Sequence, residues 1–390
     1  MPTSAAPPTY RRTIRALGAA ILLGALAANP WILARLLSSD GAIEHPLFIG
    51  AIISGEVLLA ACGLYLMLRP RRASVFNLLL LCAACCVSLL AAEFGARVMV
   101  YGTHAFSWRD MASLRTFGEG LLVQASEDPG LRFELKPDLD VLYRFVGVRT
   151  NDAGMRDDSH LKQKTEGVFR VAVLGDSFTF PVGVEIADAY HTLLEQRLKV
   201  PGYERVECLN FAVPGYYLRH YPDVLARRAM AYQPDLIVVG FCAENDHIPP
   251  PPGLFEQPFA PAKEIHPFFR STLATLLYYA MHPSAGLDKT PTHDETVYMR
   301  REFGRLKQTA DGVPVVVAFL ANIPRDGSAI RHLAEEAGLE FVDCSAGFKT
   351  EEIGAMSIFH PVDSHPNARA NARFADTIGA WIDRMNFPGQ

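Results

Sequence analysis

The chain has 390 residues, 49% hydrophobic and 20% charged, with a formal net charge of −5. That size and apolar content suit one large domain plus a smaller module and exclude an intrinsically disordered chain. The mildly acidic balance leaves no basic footprint, so no nucleic-acid partner is expected.

The apolar residues crowd into the first hundred positions. Three stretches, Ala16 to Leu37, Leu47 to Leu68 and Val75 to Ala92, each approach the roughly 20 residues that a bilayer-spanning helix needs. The first is the weakest, because it contains Asn29-Pro30 and Arg35. Arg11, Arg12 and Arg15 precede it, and Arg69, Arg71 and Arg72 fill the turn between the second and third, whereas the loop holding Asp40 and Glu44 has no Lys or Arg. By the positive-inside rule the amino terminus and the 69–74 turn are cytoplasmic and everything after about Ala92 is extracytoplasmic. That is the pattern of a multi-pass bacterial inner-membrane protein with its large domain on the periplasmic side. A competing reading takes the basic start, the apolar run and Ala25-Leu26-Ala27 as a cleaved signal peptide, which delivers the large domain to the same side. Glu56, inside the second stretch, is a functional candidate by its location, but no neighbour completes a proton or ion path, so a protonated or helix-paired carboxyl is the expectation. Cys62, Cys82, Cys85 and Cys86 are expected simply to pack.

From Tyr101 the composition is mixed, and Ser126 to Asn151 reads as a polar, loop-rich approach. Strands are expected at Phe169 to Leu174, Arg205 to Asn210, Asp235 to Gly240, Pro314 to Leu320 and Leu339 to Cys344. Helices are expected between them at about Ala187 to Leu198, Leu218 to Ala231, Glu295 to Ala310 and Ser328 to Ala337, with a last one at Ala368 to Met385. Apolar runs separated by helices predict a five-stranded parallel sheet covered on both faces, a three-layer α/β/α domain. The expected organisation is a membrane module over 1–100, a linker over 101–134 and a catalytic domain over 135–390. An insertion at about 247–294 carries Pro249 to Pro252, Pro258, Pro261 and Pro267, then the apolar Leu273 to Met281. Connections this long serve as lids or binding loops, and Leu276, Leu277, Tyr278 and Tyr279 could equally dock on the domain or rest on the membrane surface. Cys208, Cys242 and Cys344 lie in or beside expected core strands, with no spacing for a disulfide framework or metal site, and read as buried free thiols.

The run Val171-Ala172-Val173-Leu174-Gly175-Asp176-Ser177-Phe178 is a buried strand ending on a serine. In open α/β sheets ligands bind beyond the carboxyl ends of the strands, so Ser177 is a candidate nucleophile. A serine needs a base, an orienting group and oxyanion donors. His365 in Pro361-Val362-Asp363-Ser364-His365-Pro366-Asn367 is the candidate base, expected in a loop before the last helix with Asp363 to orient it. Two further loops follow core strands: Asn210-Phe211-Ala212-Val213-Pro214-Gly215, whose Gly215 N–H can donate, and Gly240-Phe241-Cys242-Ala243-Glu244-Asn245-Asp246, whose Asn245 amide can donate.

These blocks resemble the SGNH hydrolases, also called GDSL-type esterases and lipases: Gly-Asp-Ser-Phe at 175–178, Gly215, Asn245-Asp246, and Asp363 with His365-Pro366, over roughly residues 135–388. Thr150-Asn151-Asp152-Ala153-Gly154-Met155-Arg156-Asp157 is similar to the Asn-x-x-Gly-x-Arg lead-in of exported, membrane-anchored members. The resemblance implies Ser177 as nucleophile, His365 as general base and then acid, Asp363 as its orienting acid, and an oxyanion hole from the Ser177 N–H, the Gly215 N–H and the Asn245 side chain. Asp176 is expected to be structural. The family's common pattern places the acid three residues before the histidine, where this chain has Val362, so Asp343 stays an alternative partner for His365. Ala243 stands where the family commonly has glycine.

The leading expectation is a membrane-anchored extracytoplasmic serine esterase acting on acyl esters, acetyl among the candidates, of an envelope glycan or lipid. An O-acyltransferase of the same fold is the alternative, in which a sugar hydroxyl replaces water. A catalytically silent glycan-binding or assembly protein is the third, and the intact set of nucleophile and base stands against it. No cofactor is expected, since neither a nucleotide fingerprint nor a phosphate loop is present. No metal is expected either, although His360 stands near Asp363 and His365.

Overall fold

The structure is a computed structural model describing residues 8–27, 32, 46–115, 120–128, 130–261, 270–281 and 290–385. Asn29, Pro30, Arg35, Asp40, Glu44 and Pro267, which entered the sequence reading, lie outside the described residues. The chain divides into two compact units, Met1–Ala92 and Glu93–Gln390.

In the first unit, helices Pro8–Ala27 and Pro46–Leu68 pack through glycines: a Cβ on Gly18 would stand 2.6 Å from the Gly63 carbonyl oxygen, and one on Gly63 2.7 Å from that of Gly18. Only residues without side chains let helices approach so closely. A third helix, Arg72–Tyr101, follows the arginine turn. Three spans were expected, but among the described residues one helix, Arg72–Phe106 with its short 3₁₀ end, is long and apolar enough to cross a membrane, and Ile52–Leu68 is a shorter apolar helix. The amino-terminal helix begins at Pro8 and takes in Arg11, Arg12 and Arg15, which leaves a short apolar stretch before its described end at Ala27.

The second unit opens with short antiparallel pairs where loops were expected. Strand β1 (Val123–Ala125) pairs with β2 (Phe133–Leu135), and β3 (Asp140–Tyr143) with β4 (Val146–Arg149). Elements of three or four residues are too short for alternation to be seen in sequence. Leu122, Val123, Leu131 and Phe133 are nevertheless buried in the domain core, so part of the expected linker packs with the domain.

The main sheet contains β5 (Val168–Gly175), β6 (Arg205–Asn210), β7 (Leu236–Cys242), β8 (Val315–Leu320) and β9 (Glu340–Asp343), all parallel, in the order β6-β5-β7-β8-β9. Alternate residues of β5 enter different cores. Ala172 and Leu174 join Val224, Phe303 and Leu333 of helices His220–Arg227, His293–Thr309 and Ser328–Glu336, while Val171 and Val173 join Leu194 and Phe374 of helices Tyr190–Arg197 and Ala368–Ile382. This is a three-layer α/β/α domain, with strand and helix ends within a few residues of those expected. Because β5 comes first but sits between β6 and β7, the chain runs from it to β6 on one side and then crosses back to β7 on the other, which opens a crevice at its carboxyl end. Two short strands, β10 (Ser357–Phe359) and β11 (Asp363–Pro366), pair antiparallel before the last helix.

Candidate active site

Residues 175–179 turn sharply off β5. The Phe178 amide donates to Asp176 Oδ1 at 2.9 Å, Phe180 N–H to the Asp176 carbonyl at 2.9 Å, and Val182 N–H to the Ser177 carbonyl at 3.0 Å. Ser177 is thereby held half-buried at the crevice. Two glycines make this turn possible. Gly175 and Gly240 are register partners on β5 and β7, and buried Thr179 lies over both: an added Cβ would stand 2.2 Å and 2.1 Å, respectively, from Thr179 Oγ1. Thr179 also accepts the Tyr190 hydroxyl at 3.1 Å, so it has no free direction to move. Gly240→Ala is therefore expected to destabilise the domain by about 3 kcal/mol, the upper end of ordinary overpacking. A chemical-denaturation midpoint equal to wild type would contradict that.

His365 was expected in a loop; it lies instead in β11, and the ladder to β10 is what fixes it. Asn322 Nδ2 donates to the Ser364 carbonyl (2.8 Å) and to Ser357 Oγ (2.9 Å), tying both strands to the end of β8. Asn367 caps the following helix by accepting from Arg369 and Ala370 N–H. Held on both sides, His365 places Nε2 2.9 Å from Ser177 Oγ and Nδ1 2.5 Å from Asp363 Oδ1. A carboxylate only accepts, so Nδ1 carries the ring proton and Nε2 is the acceptor for the serine hydroxyl. Asp343, the alternative partner, accepts from the Ser345 amide and hydroxyl instead.

Of the expected oxyanion donors, Asn245 follows β7 and donates through Nδ2 to Asp176 Oδ2 at 3.1 Å, leaving the second amide hydrogen of that nitrogen. Gly215 takes a positive φ of +84° two residues beyond Val213, whose N–H donates to the Gly175 carbonyl. It does not line the main cavity, which Ser177, Asn245, Asp363 and His365 do. That cavity, about 990 Å³, is also walled by Arg144, Arg325 and, from the insertion, Tyr279. Behind it lie two buried carboxyls. Asp176 and Asp246 are both pushed up from the ordinary range by burial, and Asp246 takes the Tyr221 hydroxyl and the Cys242 N–H, which braces the Asn245 loop. Burial first, and the Arg144 charge second, hold His365 below its ordinary value, at about 4. His365 is therefore neutral, and competent as a base, throughout the neutral range.

Three contributors had little or no signal in the sequence. Arg144, at the β3–β4 turn, forms an ion pair with Asp363 Oδ2. Thr179 and Asn322 are an ordinary threonine and asparagine until the fold sets them against Gly175 and beside β11. Arg156 belongs to the lead-in noted above, and the structure supplies its reason: buried at 1% exposure, it donates to the carbonyls of Phe180, Pro181 and Val184, the segment that follows Ser177. Asn151 Oδ1 accepts from Ala153 and Met155 N–H, and Gly154 (φ +68°) passes so close to Leu135 that a Cβ would stand 2.7 Å from its carbonyl oxygen.

Neither a family model nor a curated protein matches the chain. Solved structures that it resembles include proteins described as G-D-S-L lipolytic proteins and carbohydrate esterases. A G-D-S-L family lipolytic protein from Veillonella parvula is 15% identical over 56% of this chain and 100% of its own (TM-score 0.34). An acetyl xylan esterase is 16% identical over 56% and 100% (TM-score 0.34). A carbohydrate esterase family 2 enzyme from Corynascus thermopiles is 14% identical over 55% and 65% (TM-score 0.34). Likeness at this level carries no argument about this chain, so its function is argued from the site itself.

Proposed function

We propose that the protein is a serine esterase of the SGNH hydrolase type. The observation that carries this is the hydrogen-bonded series Ser177 Oγ, His365 Nε2, His365 Nδ1, Asp363 Oδ1, at 2.9 Å and 2.5 Å, opening into a cavity at the switch point of the sheet. Ser177 Oγ attacks the ester carbonyl carbon as its proton passes to His365 Nε2. The charge on the former carbonyl oxygen is received by the Ser177 N–H and the Asn245 amide, which line the cavity as Gly215 does not, each donor lowering the barrier by about 3 kcal/mol. Collapse breaks the ester C–O bond, and His365 returns the proton to the departing alkoxide. Water then attacks the acyl-serine, His365 takes its proton, and the acid and free serine are released.

The substrate proposed is an acyl ester, acetyl among the candidates, on an envelope glycan or lipid, met on the extracytoplasmic side of an inner membrane by a domain anchored through the amino-terminal helices. Two features support the anchoring: the arginines at positions 11, 12, 15, 69, 71 and 72, and the apolar helix Arg72–Phe106, none of whose most apolar residues is buried. A second reading is O-acyl transfer, in which a sugar hydroxyl entering the same cavity of about 990 Å³ replaces water in attacking the acyl-serine.

Labelling with a fluorophosphonate followed by peptide mapping tests the nucleophile: modification at Ser177, abolished in His365→Ala, is expected, and labelling elsewhere would overturn the mechanism. Incubation of an acyl donor with glycan acceptors, read by mass spectrometry, separates the readings. Released acid alone means hydrolysis, and acylated glycan means transfer.

A further inference from the structure

We propose that Arg144 is a positioning residue of the catalytic centre, which fixes the carboxylate that orients His365 and offsets its charge. The proposal rests on the serine-esterase reading above. Asp363 divides its two oxygens: Oδ1 receives the His365 ring and the His365 backbone N–H, while Oδ2 meets the Arg144 guanidinium. A carboxylate held on one oxygen alone can rotate about its own axis; one held on both cannot. Arg144 also lines the main cavity beside Ser177, so it belongs to the site and not to a distant surface.

The backbone that presents Arg144 is unfavourable for the residues it carries. Tyr143 and Val146 are register partners, so Arg144 and Phe145 alone make the turn, with φ of +48° and +72°. Two-residue turns of this hand select Asn and Gly, because side-chain-bearing residues crowd their own backbone there. Strain of this kind persists where the surroundings over-determine it, and it gathers at functional sites. Here the surroundings are explicit. Arg144 N–H donates to the Ser113 carbonyl at 2.9 Å and Phe145 N–H to Ser113 Oγ at 3.0 Å. The Phe145 ring stacks on His104 at 4.3 Å and meets Tyr101 and Phe359 edge-on. The segment that ends the apolar helix thus seats the turn that carries Arg144 to the triad.

The chemical consequence concerns the imidazole. His365 faces Ser177 and Asp363 by hydrogen bond and the Phe178 ring at 5.5 Å, and it feels the charges of Arg144, Asp176 and Glu244. The guanidinium opposes imidazolium formation, so His365 is a weaker base at rest and a stronger acid toward the leaving alkoxide. A purely structural cross-link between turn and β11 would leave that balance unchanged.

The test follows the pH dependence of fluorophosphonate labelling of Ser177 in the full-length, detergent-solubilised protein. Wild type is expected to label with a midpoint well below pH 6.5. Arg144→Gln should move that midpoint upward by about one pH unit, since the opposing charge is gone and the carboxylate's remains, and should slow the plateau rate about tenfold. Arg144→Lys keeps the charge but loses the planar guanidinium, so its midpoint should stay near wild type while its plateau falls. A folded Arg144→Gln protein with an unmoved midpoint overturns the proposal. If Arg144→Gln does not fold, a lysine variant equal to wild type in rate overturns it. A wild type that never labels instead refutes the esterase reading, a separate outcome.

Discussion

Ser177→Ala is expected to lower turnover of a short p-nitrophenyl ester by roughly 10⁴-fold to 10⁶-fold, the range found when a triad nucleophile is removed. The fold should be unaffected, because Ser177 is half-buried and its hydroxyl serves His365 at 2.9 Å, with a marginal 3.5 Å contact to Asp176, and no core element. KM should change little, since the cavity walls that hold the ester remain. His365→Ala should fall by a similar factor, and the double variant should be hardly worse than either single one, because nucleophile and base act as one unit. Residual rate above water would report the oxyanion donors. Turnover near wild type in either single variant, measured on folded protein, would contradict the mechanism.

Arg156→Ala is expected to destabilise the domain by about 4 kcal/mol or more, since buried carbonyls stripped of a donor cost about 1 to 3 kcal/mol each. Arg156 donates to Phe180 and Pro181 at 3.0 and 2.7 Å, to Val184 at 2.7 Å and to Gly147 at 3.4 Å, and its guanidinium lies 4.9 Å from the Phe180 ring centre. Burial lowers its pKa to about 10, with the Glu185 charge opposing, so it remains charged at neutral pH. The carbonyls it ties down belong to the turn after Ser177, so the folded fraction of the variant should also lose activity. Arg156→Lys restores the charge but not the fork and should recover part of the stability. Urea unfolding followed by circular dichroism measures this, and a loss under about 1 kcal/mol, the worth of one ordinary hydrogen bond, would refute the account.

The main sheet was legible because its central strands β5, β7 and β8 are largely apolar runs between helices: Val171, Val173 and Val238 look toward one core, Ala172 and Leu174 toward the other. The small antiparallel pairs were not legible. Phe133 and Tyr143 are buried in strands of three or four residues, too few for a period to emerge. His365 illustrates the same limit. Its place immediately before the last helix reads as a loop, yet it is held as a strand by Asn322 and by the ladder to Ser357–Phe359.

By itself the sequence determined the layered α/β class, the order of its strands and helices, and the residue types at strand ends, because these are local properties of apolar period and turn chemistry. Which groups meet was decided only by the tertiary structure. Asp363 and not Asp343 reaches His365, Arg144 arrives from a hairpin far upstream, and Thr179 claims the space over Gly175 and Gly240. Such meetings depend on distances set by packing between segments remote in the chain, and no spacing along one segment encodes them.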